Sequence, residues 1–368
     1  MKVAYLLGSL SRGGTETLLL DLFNNADKAN YDFVGVHRKD GPYKDDFYNA
    51  GKPFYKISPK FPFDLLYLWR LRRFIKSNNI SIVHAQQCID ALYAGIATIG
   101  LSTKIVQTFH GYDYGASKYA SFILKLSLKF TIKNIFVSKY ESDYYVNKYK
   151  IDNTKTAVVY NGVNFEKLDS EYPNPNLPNY ANDSLKLCMV GNFVSVRNHY
   201  TVCEFLHLLK EKNIKFDFYF IGRRSEVEPA LYDKCLAYCN KYNMNDSVHF
   251  LGARADVPAI LKHMDAFVYS TDHDTFGIAV VEAMAFGIPV FVNDYEVMTE
   301  ITNNGEWATL YKTKNAANLC DKFITFVNKK ETYQKQAQIS ALQVRKTYSI
   351  TQHIKTLSNL YYVLTTNH

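Results

Sequence analysis

Residues 270–293 constrain the fold more than any other stretch, because the pattern of apolar residues changes several times within it. Residues 265–270 (DAFVYS) are bulky and alternate as in a buried strand, and residues 271–276 are polar without a helical period. An apolar segment of helical length follows Gly277 and stops at Gly287, which suits the left-handed end of a helix. A second strand, PVFVN, comes next. This order predicts part of an open parallel sheet, where ligands bind at the carboxyl ends of strands.

Two carboxylates frame the loop of this stretch. Asp274 lies on the loop, and Glu282 lies about a turn and a half inside the helix, so both can face one crevice. Between them we expect free backbone N–H groups at Phe276, Gly277 and Ile278, which together with the helix dipole suit a phosphate. The two carboxylates can then hold hydroxyls of a ribose or a sugar. The alternative is structural, with a buried Glu282 paired to a nearby Lys or Arg.

The stretch resembles the retaining family 4 glycosyltransferases. The resemblance rests on the spacing from Asp274 to Glu282, on FG before an apolar helix, and on the run EAMAFGIPV. It implies an α/β protein with the GT-B fold: two Rossmann-like domains facing across a cleft, and a C-terminal helix that crosses back to the first domain. The family usually has Glu at both ends of this motif. Here the first carboxylate, Asp274, is shorter by one methylene.

Length and composition agree with two globular domains. A chain of 368 residues has room for two cores, and 47% of its residues are hydrophobic. We expect residues 1–168, with about 350–368, to form an acceptor-binding domain, and residues 169–349 to form a nucleotide-sugar-binding domain. Residues 166–184, which contain several prolines among Asn and Asp, are predicted to be the linker.

The composition also bears on compartment and partners. The six cysteines are scattered, no signal peptide is evident, and no apolar run approaches the length of a membrane span, so we expect a cytoplasmic protein. The net charge of +8 favours anionic partners such as nucleotides, phosphates or an anionic membrane surface. We expect no nucleic-acid partner.

Two basic helices leave membrane contact open. Residues 61–78 and 118–133 each combine apolar residues with several Lys or Arg, a composition that could lie on the inner face of an anionic membrane. The alternative is that the apolar face of each helix packs on a sheet while the charges remain solvated.

Two features of the first half match places that bind ligands in the family. Gly13 and Gly14 lie between a predicted strand and a predicted helix, where the backbone can closely approach a ligand. The resemblance implies that this loop faces the donor diphosphate and the acceptor. His110 ends the predicted strand IVQTFH, and the resemblance implies that it contacts the donor sugar. A histidine with a purely structural role is the alternative.

In the second half the resemblance assigns the donor phosphates to a loop after the strand LKLCMVG. The family usually has Arg directly after this glycine and Lys five residues later, whereas here Asn192 and Arg197 occupy these places. Arg197 keeps the charge and offers a bidentate fork, so we expect it to carry more of the phosphate binding. Arg254, in the GAR turn, is a candidate near the nucleotide base. A surface arginine before a helix would have the same sequence pattern.

Together these features predict a retaining hexosyltransferase that uses a nucleotide-sugar, expected to be a UDP-sugar, as co-substrate. Glu282 would hold the ribose, Asp274 and His110 the donor sugar, and Arg197 the diphosphate; the remaining donor contacts are expected at Thr275, Phe276, Gly277 and Ile278. We expect no cofactor and no metal, because in the family a helix dipole and cations stabilise the leaving group. The expected acceptor is a glycan or lipid-linked saccharide of bacterial surface polysaccharide synthesis, selected by loops such as 38–60 and 112–120.

Two other interpretations remain open at this point. The first is a non-hydrolysing sugar-nucleotide 2-epimerase of the same fold, which needs no acceptor and which the central motif argues against. The second is a nucleotide-sugar-binding subunit that has lost activity, since Asn192 and Asp274 both depart from the family pattern. Donor hydrolysis without acceptor separates the second interpretation from an enzyme.

The assignment of Asp274 is testable by substitution. Because glutamate at this position carries the same carboxylate, Asp274→Glu is expected to retain sugar transfer, whereas Asp274→Ala is expected to abolish it. The measurement is the initial rate of transfer from the donor. Full activity of the alanine variant would contradict the assignment.

Overall fold

The computed structural model describes residues 1–179 and 183–366 of the chain. The chain divides into two compact domains. The first contains Met1–Val163 and the segment that starts at Tyr348, and the second contains Asn164–Thr347. The sequence interpretation places these divisions after residues 168 and 349.

Each domain is built on one parallel sheet. The strands of the first sheet are β1 (Lys2–Ser9), β2 (Asp32–Lys39), β3 (Phe54–Lys56), β4 (Ile82–Ala85), β5 (Lys104–Phe109), β6 (Lys133–Phe136) and β7 (Thr156–Val158). Those of the second are β8 (Leu185–Val190), β9 (Phe216–Ile221), β10 (Val248–Phe250), β11 (Ala266–Tyr269), β12 (Val290–Asn293) and β13 (Thr309–Tyr311). The strand orders are β3-β2-β1-β4-β5-β6-β7 and β10-β9-β8-β11-β12-β13. The order therefore reverses between β1 and β4 and again between β8 and β11, and these two places are the expected ligand sites of such sheets.

Helices connect the strands in both domains. In the first domain they are α1 (Gly14–Asn24), α2 (Lys44–Tyr48), α3 (Leu65–Ser77), α4 (Cys88–Ala97), α5 (Lys118–Phe130) and α6 (Lys139–Tyr149). In the second they are α7 (Phe165–Asp169), α8 (His199–Glu211), α9 (Pro229–Lys241), α10 (Val257–Lys262), α11 (Ile278–Ala285), α12 (Glu296–Ile301), α13 (Ala316–Asn328) and α14 (Lys330–Tyr348). The last helix, α15 (Ile350–Thr366), belongs to the first domain. The predicted unit of strand, loop, helix and strand at residues 265–293 is therefore confirmed as β11, α11 and β12.

The C-terminal helix completes the core of the first domain. Ile354, Leu357 and Tyr361 of α15 are buried in one cluster with residues of β1, α1 and β2, and Leu360 packs against the same cluster. This is the apolar face that the sequence predicts for the return of the last helix to the first domain. Burial of the three side chains stabilises the domain by about 1.5–3 kcal/mol each.

The predicted helix over residues 61–78 begins later, at Leu65. Phe63 has a left-handed backbone (φ 57°), which a helix cannot pass through. The side chain of Asp64 then accepts hydrogen bonds from the N–H groups of Leu66 and Tyr67, at 2.9 and 3.2 Å, and caps α3. The sequence interpretation also treats residues 166–184 as the linker. The helix α7 occupies the start of this range, and residues 180–182 of it lie outside the described residues.

The two basic helices pack on their sheet, as the structural alternative expects. In α3 the buried residues are Tyr67, Leu68, Leu71 and Ile75, while Leu65, Leu66 and Trp69 remain exposed. The helix α5 buries Ile123 and Leu124 and leaves Phe122 exposed. Among the described residues, no helix has the length and apolar character that crossing a membrane requires.

A hydrogen-bonded chain of aromatic side chains crosses the first core. The hydroxyl of Tyr5 lies 2.7 Å from that of Tyr31 and 3.1 Å from that of Tyr361. The Tyr361 hydroxyl in turn lies 2.5 Å from His84 Nδ1, and His84 Nε2 lies 2.6 Å from the hydroxyl of Thr108. The chain links β1, β4, β5 and α15, so the buried polar groups of four elements satisfy one another.

Burial keeps His84, His110 and His353 of this domain neutral. It lowers the pKa of His84 to about 3 and that of His353 to about 4. His353 also donates a hydrogen bond to the Tyr160 carbonyl at 2.7 Å, which acts to raise its pKa, but the effect of burial is larger. Below the ordinary histidine pKa of about 6.5, these side chains bind protons in the unfolded chain but not in the folded chain. Their contribution to stability is therefore present above that pH and is lost as the pH falls.

We expect the first domain to lose stability between pH 6.5 and 5 by about 1.4 kcal/mol per pH unit for each of these buried histidines. In the variant His353→Asn the amide can still donate to Tyr160 but does not titrate, so the slope should fall by about 1.4 kcal/mol per pH unit. Urea unfolding at several pH values, followed by pulsed hydrogen exchange of β4 and β5 peptides, measures this slope. An unchanged slope in the variant would show that His353 is not the titrating group.

Candidate functional site

Two loops meet at the carboxyl edge of the second sheet. One follows β8 and the other follows β11, and these strands are neighbours at the place where the strand order reverses. The loops are joined by an isolated antiparallel bridge between Arg197 and Thr271, and the Asn198 N–H donates to the Ser270 carbonyl at 3.0 Å. The two stretches that the sequence assigns to donor binding, 192–198 and 271–278, are thus brought together.

Arg197 is the centre of this contact. Its Nη1 donates to the Thr271 hydroxyl at 3.2 Å and to the His273 carbonyl at 3.1 Å, and its guanidinium lies over the Tyr269 ring, 5.4 Å from the centroid. Its Nη2 lies 3.1 Å from Oδ2 of Asp274. Burial acts to lower the pKa of Arg197, but Tyr269 and Asp274 raise it above its usual value, so the guanidinium stays charged.

Asp274 accepts from four directions. Besides its ion pair with Arg197, it accepts the hydroxyl of Tyr269 at 3.1 Å and the N–H groups of Thr275 and Phe276 at 2.9 and 3.3 Å. The expectation of a free N–H at Phe276 is therefore wrong, because the carboxylate two residues earlier turns back to accept it. The carboxylate is thus fixed as the internal counter-ion of Arg197.

The start of α11 keeps two donors available. Gly277 has a left-handed backbone (φ 83°), and a Cβ there would lie 2.7 Å from Cε of Met298, so the position requires glycine. Among the described residues no acceptor is bound to the N–H of Gly277 or of Ile278. These are the donors that the sequence predicts at this helix N-terminus, and they lie on the residues directly after the Asp274–Phe276 turn.

The other side chains predicted to contact the donor differ in their exposure and in their partners within the protein. Asn192 is exposed and its side-chain oxygen accepts the Arg223 N–H at 2.9 Å. Arg254 forms a bidentate pair with Asp256, at 2.7 and 2.6 Å, next to the start of α10. Glu282 is half-buried on α11. These contacts show where the side chains lie, and their roles toward a ligand stay predictions.

Asp272 and Asp274 also have the Asp-x-Asp spacing of many metal-binding carboxylate pairs. The two side chains bind different cations. Asp272 lies 3.0 Å from Nζ of Lys314 and accepts from the Asn198 amide at 3.1 Å, while Asp274 pairs with Arg197. Each carboxylate therefore already has its charge partner in the protein.

The first domain carries a second group of candidates at the carboxyl ends of β1, β4 and β5. His110 directly follows β5, and its Nε2 lies 2.8 Å from Oε1 of Gln86, the residue after β4. Burial, with a smaller effect of His353, lowers the pKa of His110 to about 3, so the ring is neutral. The Gln86 oxygen can only accept, so Nε2 of His110 carries the proton in this neutral ring.

Gly13 and Gly14 open α1 near this group. Gly13 precedes the helix in an extended conformation, and a Cβ on it would lie 2.6 Å from Oε2 of Glu16. Glu16 also accepts a hydrogen bond from the Ser11 hydroxyl at 3.4 Å. A negative charge thus lies against the glycine pair, and a diphosphate that approached this side would have to displace Glu16.

Three residues of these sites carry no motif that would reveal them in the sequence. Tyr269 and Asn293 end β11 and β12, and the Asn293 side chain bonds both the N–H and the carbonyl of Thr271 at 2.9 Å. Gln86 ends β4. In each case the available signal is only a polar residue at the carboxyl end of a buried strand, which marks an edge of the sheet without specifying a contact.

Sequence comparison accounts for both halves of the chain. The family described as Glycosyltransferase Family 4 matches residues 12–167, and the family described as Glycosyl transferases group 1 matches residues 176–342. The chain belongs to the family 4 (group 1) glycosyltransferases. This family 4 chain has the GT-B fold, and it is similar over its full length to solved glycosyltransferases.

Two solved structures and two relatives illustrate the similarity. A glycosyltransferase from Rickettsia africae has a TM-score of 0.85 at 18% identity, and the alignment covers 100% of this chain and 99% of that one. Anabaena HepE in complex with UDP has a TM-score of 0.85 at 15% identity, and the alignment covers 99% of this chain and 100% of that one. The UDP-Gal:alpha-D-GlcNAc-diphosphoundecaprenol alpha-1,3-galactosyltransferase of Escherichia coli is 23% identical over 80% of this chain and 79% of its own length. The N,N'-diacetylbacillosaminyl-diphospho-undecaprenol alpha-1,3-N-acetylgalactosaminyltransferase of Campylobacter jejuni is 29% identical over 54% of this chain and 52% of its own.

The pair of Arg197 and Asp274 should be coupled energetically. Because both side chains are largely buried, we expect a double-mutant cycle with Arg197→Ala and Asp274→Ala to give a coupling energy of about 1–3 kcal/mol for unfolding of the second domain. Arg224 and Asp233 form a bidentate pair in the same domain with both side chains about half exposed, which makes them a matched control with much smaller coupling. Equal coupling in both cycles would contradict the role of burial.

Proposed function

We propose that this glycosyltransferase transfers a hexose from a UDP-sugar to a saccharide acceptor with retention of anomeric configuration. The observation that carries the proposal is the pairing of Arg197 with Asp274 where the strand order of the second sheet reverses. The N–H groups of Gly277 and Ile278, which no acceptor among the described residues binds, follow three and four residues later in the chain. A buried guanidinium and the N-terminus of a helix both favour a diphosphate. The UDP complex of Anabaena HepE, which shares the fold, supports a uridine nucleotide.

Arg197 then has two anionic partners in turn. Without donor, Asp274 balances its charge and holds the guanidinium over Tyr269. When a diphosphate binds Arg197, the Asp274 carboxylate loses part of this attraction and becomes available to accept hydroxyls of the donor sugar. Glu282, on the next turns of α11, is assigned to the ribose.

In the proposed reaction the bond between the anomeric carbon and the β-phosphate oxygen breaks, and the acceptor oxygen bonds the anomeric carbon on the same face. The departing phosphate oxygen takes the acceptor proton. The transition state has oxocarbenium character, and the charge that develops on the diphosphate is stabilised by Arg197 and by the N–H groups of Gly277 and Ile278. Because these groups supply the positive charge, we propose that no metal ion is needed.

The acceptor class is proposed from the relatives. Two of them are named for acceptors linked to undecaprenol through a diphosphate, and another, from Salmonella typhimurium, is named an O-antigen chain mannosyltransferase at 26% identity. We therefore propose a lipid-linked saccharide of bacterial surface polysaccharide synthesis as acceptor, reached at the inner face of the cell membrane. Exposed Leu65, Leu66 and Trp69 beside the basic residues of α3 are compatible with contact to an anionic bilayer.

Thermal unfolding with a panel of UDP-, GDP- and ADP-sugars tests the donor. A sugar nucleotide at about 100 times its Kd should add roughly 2.7 kcal/mol of stability. We expect one UDP-sugar to stabilise the wild-type protein selectively and to do so less in Glu282→Ala and in Arg197→Ala. The addition of EDTA should leave the shift and the rate of transfer unchanged.

Stability changes caused by the substitutions themselves are removed by measuring each variant with and without ligand. Lys322→Ala, at an exposed position of α13 in the same domain, serves as a control for loss of positive charge outside the two donor loops, and it should respond to donor as the wild type does. The absence of a shift with every nucleotide would contradict the proposed function, and donor binding without hydrolysis or transfer would favour a subunit that has lost activity.

A further inference from the structure

A pocket of about 560 Å³ lies within the first domain beside His110. Its volume is that of a ligand site rather than a packing defect. Its walls come from α4, from the end of β5 and from α5, and they are mostly apolar, including Ile89, Tyr93, Phe109, Ile123 and Leu124. Its polar lining includes Gln86, Thr108 and His110 where β4 and β5 end, and also Gln87, Asp113 and Ser121. The pocket therefore has a polar end at a candidate catalytic histidine and an apolar interior.

Gln86, one of the residues at the polar end, has a side-chain donor that no described residue accepts. Its side chain is buried, with a relative exposure of 7%, and its Oε1 is bonded to His110, but its Nε2 has no partner among the described residues. The neighbouring Gln87 differs, since its oxygen accepts from Nη2 of Arg38 at 2.9 Å. A buried amide N–H without an acceptor destabilises a protein unless a ligand or an ordered water accepts from it.

The walls of the pocket are held in place by their own contacts. The Tyr145 hydroxyl donates to the Gly111 carbonyl at 2.8 Å, and Asp113 accepts from the Tyr144 hydroxyl at 2.7 Å and from Lys148 at 2.8 Å. The loop after His110 is thus tied to α6. The space is preformed by the fold, so a ligand need not open it.

The rim of the pocket continues into exposed apolar side chains. Tyr119 lines the pocket and is 57% exposed, and Phe122 on the same helix is 56% exposed. On the other side Phe63, just before α3, contacts the lining residue Tyr93 with ring centroids 5.8 Å apart, and Leu65 beyond it is 78% exposed. Apolar surface therefore extends from the interior of the pocket to the outside of the domain.

We propose that this pocket binds the apolar aglycone of the acceptor, and that the Gln86 amide donates to a hydroxyl of the acceptor saccharide next to His110. The inference rests on the proposed function, and it specifies the acceptor as a saccharide whose hydrocarbon lies close to the reacting sugar. A free, fully polar oligosaccharide would leave the apolar walls in contact with water. Gln86 thereby has two tasks, fixing the tautomer of His110 and binding the acceptor.

Binding of two simple probes tests the assignment. Octyl β-D-glucopyranoside, below its micelle concentration, carries a hydrocarbon aglycone, whereas methyl β-D-glucopyranoside does not. Titrations followed by ligand NMR give the Kd and the stoichiometry of each. We expect one octyl glucoside per chain, bound at least about tenfold more tightly than the methyl glucoside.

Substitutions then locate the bound probe. Ala120 lines the pocket on an exposed helix face, so Ala120→Phe should fold and fill the space, and Ala116→Phe is a second filling variant on the loop. Both should abolish the preference for the octyl glucoside. Lys129→Phe, exposed on the same helix outside the pocket, should keep it. Gln86→Met should weaken both probes about fivefold, because the amide donor is lost.

The proposal would be overturned if octyl glucoside bound the Ala120→Phe and Ala116→Phe variants as tightly as the wild type. A stoichiometry of several equivalent sites per chain would also overturn it, because it indicates adsorption to the exposed aromatic residues. The thermal shift by sugar nucleotides, measured on the same variants, separates the two proposals. If no sugar nucleotide raises the thermal stability of the wild type while octyl glucoside still binds it, the proposed function is contradicted and the pocket assignment is not. If a sugar nucleotide stabilises the wild type but octyl glucoside does not bind, only the assignment of the pocket is contradicted.

Discussion

The ion pair between Arg197 and Asp274 holds together the candidate donor site, because it joins two loops that are far apart in the sequence. The loops lie side by side only because β8 and β11 are neighbours in a sheet whose strand order reverses there. Arg197 then contacts the second loop at Thr271, His273 and Asp274, while Asn293 from β12 fixes Thr271 from the other side. A charge that would be costly to bury alone is stabilised by a carboxylate and an aromatic ring.

A reversal of strand order also brings two loops together in the first domain, but there the side chains are neutral. The order of strands reverses between β1 and β4, and the residues that follow β4 and β5 are the neutral amide and imidazole of Gln86 and His110. Burial keeps this imidazole uncharged. One domain therefore offers a cation and free helix N–H groups, which suit a diphosphate, and the other offers neutral hydrogen-bonding groups beside an apolar pocket, which suit a saccharide with a hydrocarbon aglycone.

The buried polar groups of the first core explain why the last helix is part of that domain. Tyr361 contributes both a buried ring and a hydroxyl between Tyr5 and His84. The removal of α15 would therefore expose an apolar face and take away the partner of His84 Nδ1. Unpaired buried groups cost more than the hydrogen bonds contribute when they are formed. The C-terminal segment thus completes the core that supports His110.

Local sequence patterns determined the α/β class, the strand, loop, helix and strand at residues 265–293, the left-handed glycine at Gly287 and the apolar face of α15. These follow from periodicity and from the backbone freedom of glycine, which act over a few residues. The resemblance to family 4 predicted ligand contacts for Arg197 and His110, but it could not show what these side chains contact within the protein. Only the tertiary structure decided that Asp274 captures the Phe276 N–H and pairs with Arg197, that helix α3 starts at Leu65, and that Gln86 binds His110. Side chains compete for the same hydrogen-bonding groups, and the outcome depends on which strand ends become neighbours when the sheet assembles.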